Sequence, residues 1–279
     1  MKIFSFILLA VLLVGCKSQI NSYYTYQDFE NDSKIITQES DTLKPYMTEA
    51  FEKNDSLEIR RLLNLDHKIQ KKHTLLREKF IRNNPKDTLS LLLINGLFYE
   101  QSYPLSSVKK HYKSLSKKLR NSEKGEEIKK QFNFIESLSI GKKAPDFSAP
   151  NPEGQMVSLK ESLGKVTIID FWASWCAPCK QEHKNTVKLY DEYHEKGLNI
   201  IGVSIDREYH KDKWIEAIKN ENLSWIQVSN LQDWNDPIAR QYNITSIPQI
   251  FILDSKGKII GKDLRGDALR DKLKELLGE

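Results

Sequence analysis

Two cysteines separated by two residues, Cys176 and Cys179, are the groups in this 279-residue chain whose chemistry can be read first. A Cys-X-X-Cys pair can cycle between dithiol and disulfide, or it can supply half of a tetrahedral zinc site. Zinc needs a second pair of N or S ligands. The one other cysteine is Cys16, and His183 and His194, though on the same predicted helix, do not complete a ligand set. His67, His73 and His111 are too widely spaced to form a separate site. No metal and no cofactor are therefore expected, and the pair is read as a redox-active disulfide. At a helix N-terminus, backbone N–H groups and the helix dipole lower the pKa of Cys176, which makes it the attacking thiolate. Cys179, one turn further in, is shielded and resolves the mixed disulfide. Pro178 falls in the first turn, where a missing N–H costs little.

The elements that must position this pair are legible around it. Val166 to Trp172 is a β-branched run that reads as a strand, and Cys176 to Glu195 has helical spacing. A second strand (Leu198 to Ile205), a helix (His210 to Asn220), a short strand (Ser224 to Val228) and a short helix (Asp236 to Tyr242) follow. Two strands around the turn at Asp254 to Gly257 and a last helix, Gly266 to Leu277, complete the alternation. Ahead of them, Asn151-Pro-Glu-Gly154 is a hairpin turn between Phe147–Ala149 and Gln155–Leu159. The pattern predicts an α/β sandwich with a central mixed sheet flanked by helices.

Gly141 to Pro145 is Gly/Pro punctuation and marks the start of that domain, which is expected to span 141–279. Residues 45–140 read as an α-helical region of four helices, from Pro45 to Asn83, from Thr88 to Tyr99 behind an Asp87 cap, from Pro104, and from Ser122. The stretch 16–44 is polar and without sustained period, apart from a possible short strand at Lys34 to Thr37, and is expected to be a tether. Lys2 and the apolar run Ile3 to Val14 form the n- and h-regions of a signal peptide, too short to span a membrane comfortably. Leu13-Val14-Gly15-Cys16 resembles the lipobox of bacterial lipoproteins, which implies that residues 1–15 are removed and that Cys16 carries lipid. Two or three acyl chains would suffice for stable anchoring. The mature chain is then expected in the cell envelope, on the periplasmic side. Charged residues make up 29% and the net charge is +5, but the signs are interspersed, so no nucleic-acid partner is expected.

Trp175-Cys-Ala-Pro-Cys179 preceded by Asp170-Phe-Trp-Ala173, with Thr245-Ser-Ile-Pro248 before a strand, resembles the thioredoxin superfamily. The block Gly141-Lys-Lys-Ala-Pro-Asp-Phe147, with Gly164-Lys165 before the strand, narrows the resemblance to membrane-anchored thiol-disulfide oxidoreductases of the TlpA/ResA kind, within the wider AhpC/TSA-Redoxin group. The resemblance implies a thioredoxin-like fold and reduction of protein disulfides, with electrons from a membrane thiol donor of the CcdA/DsbD type. Cytochrome c maturation and envelope redox homeostasis are the pathways it suggests. It also implies a cis Ile247–Pro248 peptide beside the dithiol, with the Ile247 backbone pairing with substrate. Glu182 matches the active-site glutamate of ResA-like members. Asp170 matches the buried aspartate of thioredoxin, a candidate general base for Cys179. Trp175 shapes the rim of the site.

Two departures stand out. Lys184 occupies a position where the family usually has proline, and Ala177-Pro178 lacks the histidine of strongly oxidising relatives, so a reductant or a mid-range potential is expected rather than a strong oxidant. Peroxiredoxins share the Ala-Pro-Asp-Phe opening but need Thr or Ser three residues before the peroxidatic cysteine, where this chain has Ala173. A non-catalytic partner-binding role is the other alternative, and the intact Cys176, Cys179 and Pro248 argue against it.

Overall fold

A computed structural model describes residues 24–98 and 103–278. The expected signal peptide, 1–15, and the expected lipid site, Cys16, lie outside the described residues. Two compact units divide between Lys129 and Lys130.

The first unit is helical: α1 (Tyr26–Glu52), α2 (Ser56–Asn83), α3 (Thr88–Leu97), α4 (Leu105–Ser114), α5 (Lys117–Arg120) and the start of α6 (Glu123–Ser137). Of the polar stretch 16–44 expected to be a tether with a short strand, residues 26–44 are instead helical and make up most of α1. Its start is fixed by a capping box, in which Thr25 Oγ1 accepts the Asp28 N–H and Asp28 accepts the Thr25 N–H. Its buried side is sparse but regular. Phe29, Ile36 and Leu43 recur at seven-residue spacing and pack in one cluster with Ile69, Leu76 and Phe80 of α2. Glu39–Lys72 and Asp32–Lys79 ion pairs flank this seam. The single helix expected from Pro45 to Asn83 is also corrected: Pro45 lies inside α1, and the chain reverses at Asn54 (φ 53°) before Asp55 caps α2. The third expected helix breaks at Leu115, with Ser116 capping α5.

Gly125, in α6, is where backbone meets backbone. A Cβ there would lie 2.2 Å from the Leu119 carbonyl oxygen and 2.6 Å from that of Arg120. Neither carbonyl can move without displacing α5, so Gly125→Ala is expected to destabilise the helical unit by about 1–3 kcal/mol. Urea unfolding followed by circular dichroism checks this, and an unchanged midpoint would contradict the close approach.

The second unit holds the hairpin β1 (Ser148–Pro150) and β2 (Met156–Ser158), then β3 (Val166–Trp172), α7 (Ala177–Tyr193), β4 (Leu198–Ser204), α8 (Lys211–Asn220), β5 (Ile226–Val228), α9 (Pro237–Gln241), β6 (Gln249–Asp254), β7 (Ile259–Lys262) and α10 (Gly266–Leu277). It begins earlier than the Gly/Pro punctuation at 141, because Leu138, just past α6, is buried in its core. The five-stranded sheet has the order β5-β4-β3-β6-β7. β3 pairs parallel to β4 and antiparallel to β6, with Val166 opposite Leu198 and Asp254. All seven residues of β3 are buried, which explains why its sequence, Asp170 apart, is β-branched or aromatic rather than alternating. Phe171 packs against Tyr242 and Phe251. This is the thioredoxin-like arrangement expected from the sequence, and its central strand ends at the dithiol.

Candidate active site

β3 runs into a four-residue loop, 173–176, and then into α7. The loop is held by one buried carboxylate. Asp206, just after β4, accepts the Ser174 N–H (2.9 Å), the Ser174 hydroxyl (2.7 Å) and the Ser204 hydroxyl (2.7 Å). The Ala173 carbonyl accepts the Cys176 N–H at 3.0 Å, closing the turn. Cys176 is the N-cap of α7, and its Sγ accepts the Cys179 N–H at 3.2 Å. The two sulfurs are joined as a disulfide. Cys179 is fully buried and Cys176 is 4% exposed. The expected difference is therefore small in this oxidised form. Cys176 is less open than a free helix N-terminus would make it, because its sulfur is turned onto that of Cys179.

The other expected residues fall into two groups. Asp170, Glu182 and Pro248 line one narrow cleft with Cys179, together with His183, Arg265 and a few apolar side chains. Ile247–Pro248 is cis, as the resemblance implied, and Arg265 donates to the Pro248 carbonyl. Glu182 is half-buried, and its Oε1 accepts the Gly266 N–H (3.0 Å) at the start of α10 as well as an Asn185 amide N–H (3.3 Å). Its carboxylate thus ties α7 to α10 while it borders the cleft. Trp175 and Pro178 lie outside that cleft, on the exposed side. The Trp175 ring is 48% exposed and tilts against Trp234, 6.5 Å between centroids.

Sequence reasoning missed three residues. Trp234 lies in a 3₁₀ turn, Asp233–Asn235, whose only signal was an isolated aromatic among polar neighbours. His183 and Glu221 were missed together. The buried His183 ring sits between two carboxylates, with Nδ1 2.6 Å from Glu221 Oε2 and Nε2 3.4 Å from Asp170 Oδ2. The Trp172 and Trp225 rings pack on it edge to face. Burial disfavours the charged ring, but the Asp170 carboxylate and then Glu221 outweigh it, so the His183 pKa stands above the ordinary histidine value. A group that binds its proton more tightly when folded stabilises the fold fully below its unfolded pKa, about 6.5, and loses that contribution as pH rises through the folded value. The His183 ring is therefore expected to titrate above about pH 6.5. Long-range imidazole ¹H–¹⁵N spectra across pH would show it, and a midpoint below that of free histidine would contradict the assignment.

Residues 140–262 match the family model of the AhpC/TSA family. The thiol-disulfide oxidoreductase ResA of Bacillus cereus is 32% identical over 146 residues, which cover 52% of this chain and 81% of that protein. The thioredoxin-like protein YneN of Bacillus subtilis is 34% identical over 123 residues, 44% of this chain and 69% of YneN. A solved thiol-disulfide oxidoreductase from Bacteroides fragilis is 37% identical, with a TM-score of 0.46 over 49% of this chain and all of that one. The dithiol at the end of a central strand, and a relationship that spans most of ResA, place this chain in the family of ResA-like thiol-disulfide oxidoreductases of the thioredoxin superfamily.

Proposed function

We propose that this thiol-disulfide oxidoreductase works outside the cytoplasm, anchored by lipid on Cys16, and that its net task is to reduce disulfides in other proteins. The observation that carries the reading is the placement of the pair on α7. Cys176 is the N-cap residue, and Cys179, inside the first turn, lines the cleft with Asp170. A helix N-cap stabilises a thiolate through N–H groups and the dipole, which suits Cys176 for attack. The Cys176 Sγ takes one sulfur of the substrate disulfide and the other leaves as thiolate. Cys179 then displaces the substrate from Cys176, and the enzyme is left as the Cys176–Cys179 disulfide. The exposed Trp175 ring and the Ile247–Pro248 segment supply contact surface for the substrate chain. A membrane thiol donor of the CcdA/DsbD type would return the pair to the dithiol. Apocytochrome disulfides in cytochrome c maturation are one substrate class of this kind, and a wider set of envelope proteins is another.

Insulin reduction and the reduction potential of the pair test the reading together. Insulin is expected to be reduced, hydrogen peroxide to be left largely unconsumed, and the potential to lie well below that of strong oxidants. A potential of about −120 mV, typical of strongly oxidising dithiols, would overturn the assignment as a reductant. Anchoring is tested separately. Metabolic labelling with a radioactive fatty acid should mark the wild-type chain and not Cys16→Ser.

A further inference from the structure

Asp170 is a buried carboxylate next to a buried sulfur, and a carboxylate in that position is costly to ionise unless a cation compensates it. Among the described residues, the only basic side chain in ion-pair range of Asp170 is His183, at 3.4 Å. His183 lies one helical turn beyond Cys179 and is 2% exposed. Its Nε2 faces Asp170 without a hydrogen-bond partner, while Nδ1 is held by Glu221 at 2.6 Å. Other charged groups face this trio from neighbouring elements. Lys180 of α7 stands 3.9 Å from Glu221 on its solvent side, and Glu182 and Arg265 border the cleft on the α10 side. Trp172 and Trp225 close the ring off from water. No group of three or more His, Cys, Asp or Glu among the described residues could hold a metal ion, so the trio is not read as a metal site.

We infer that His183, clamped by Glu221, is a positioning residue for the resolving step: it holds Asp170 in place beside Cys179, so that Asp170 can take the Cys179 proton. The inference rests on reading Asp170 as the base for Cys179. In the step itself the Cys179 S–H proton passes to an Asp170 oxygen. The thiolate attacks the Cys176 Sγ, the Cys176–Cys179 bond forms, and the bond from Cys176 to the substrate sulfur breaks. The substrate sulfur leaves with the electron pair and takes a proton from water. Asp170 passes the Cys179 proton on to water, and when a donor thiolate later opens the Cys176–Cys179 disulfide at Cys176, the released Cys179 thiolate takes a proton from water. The cycle leaves the trio unchanged.

The test is single-turnover reduction of insulin by the prereduced full chain, followed from about pH 5 to about pH 9. His183→Gln is expected to move the acid limb of the rate profile upward by about one unit, a loss of about tenfold on that limb, with recovery toward the wild-type rate at alkaline pH. Glu221→Gln, which lies away from the cleft, should shift the limb in the same direction by less, and it serves if His183→Gln does not fold. Asp170→Asn should remove the limb altogether. If Asp170→Asn leaves the profile intact, the base reading fails. If Asp170→Asn removes the limb but the His183 and Glu221 variants depress the rate equally at every pH, or not at all, the positioning role alone is overturned.

Discussion

Cys179→Ser is expected to stop turnover while leaving substrates attached through Cys176. The two cysteines face each other across a single helical turn, with the Cys179 N–H already on the Cys176 sulfur. Resolution is therefore intramolecular, and well-oriented intramolecular reactions reach effective concentrations on the order of 10⁵ M or more. External thiol at about millimolar levels cannot substitute, so multiple-turnover insulin reduction should fall by at least about 10⁴-fold. Adducts should appear as disulfide-linked species in non-reducing gels and intact mass spectra of extracts from cells that express the variant. Cys176→Ser should be inactive without trapping anything. Recovery of the same adducts from the Cys176→Ser/Cys179→Ser double variant would show that the trapping does not run through Cys176.

The second large effect is expected at a residue that touches neither sulfur. Asp206 is fully buried, and three donors converge on its carboxylate, two of them from Ser174 in the loop before Cys176. Hydrogen bonds to a charged group contribute about 1.5–3 kcal/mol each, and donors left unsatisfied in the interior add to the loss. Asp206→Ala is therefore expected to cost about 3–5 kcal/mol. Asp206→Asn keeps one acceptor oxygen and should cost less. Denaturant unfolding measures the first part. The second is activity: the loop that presents Cys176 loses its fixed geometry, so insulin reduction at a temperature where the variant is still folded should fall as well. A stability change below about 1 kcal/mol would mean that the loop is held by other contacts.

How far such features can be read from sequence depends on whether their partners are close along the chain. β3 and α7 are legible because a fully buried strand is β-branched or aromatic at all but one position, Asp170, and because Pro178 and the cysteine spacing mark a helix start. The last helix, Gly266 to Leu277, was read to its ends from a plain amphipathic repeat. α1 is not legible, since one core-facing residue in seven (Phe29, Ile36, Leu43) is too thin a signal among polar neighbours, and Pro45 looks like a boundary. The packing of α2 along it supplies what local propensity lacks. The dithiol and the cis proline announce themselves by motif. His183 does not, because its meaning depends on Glu221, 38 residues away at the end of α8, and on Asp170 in a different strand. Only the folded chain brings those three together.

The way the chain joins the sheet unit gives that unit two poles. The Gly141 and Ala144 N–H groups bond to the Ile259 and Gly257 carbonyls, and Asp254, where that turn begins, lies opposite Val166, the first residue of β3. Cys176 follows the last residue of the same strand, and at about 3.3 Å per residue the seven residues of β3 separate the two ends by ~20 Å. Residues 141–144 are therefore bound at one pole of the unit and the dithiol lies at the other. A bulky protein substrate can approach the sulfur pole without displacing residues 141–144 from the β6–β7 turn, and an insertion within 141–144 should cost stability by breaking these bonds while the dithiol, a strand's length away, keeps its local geometry.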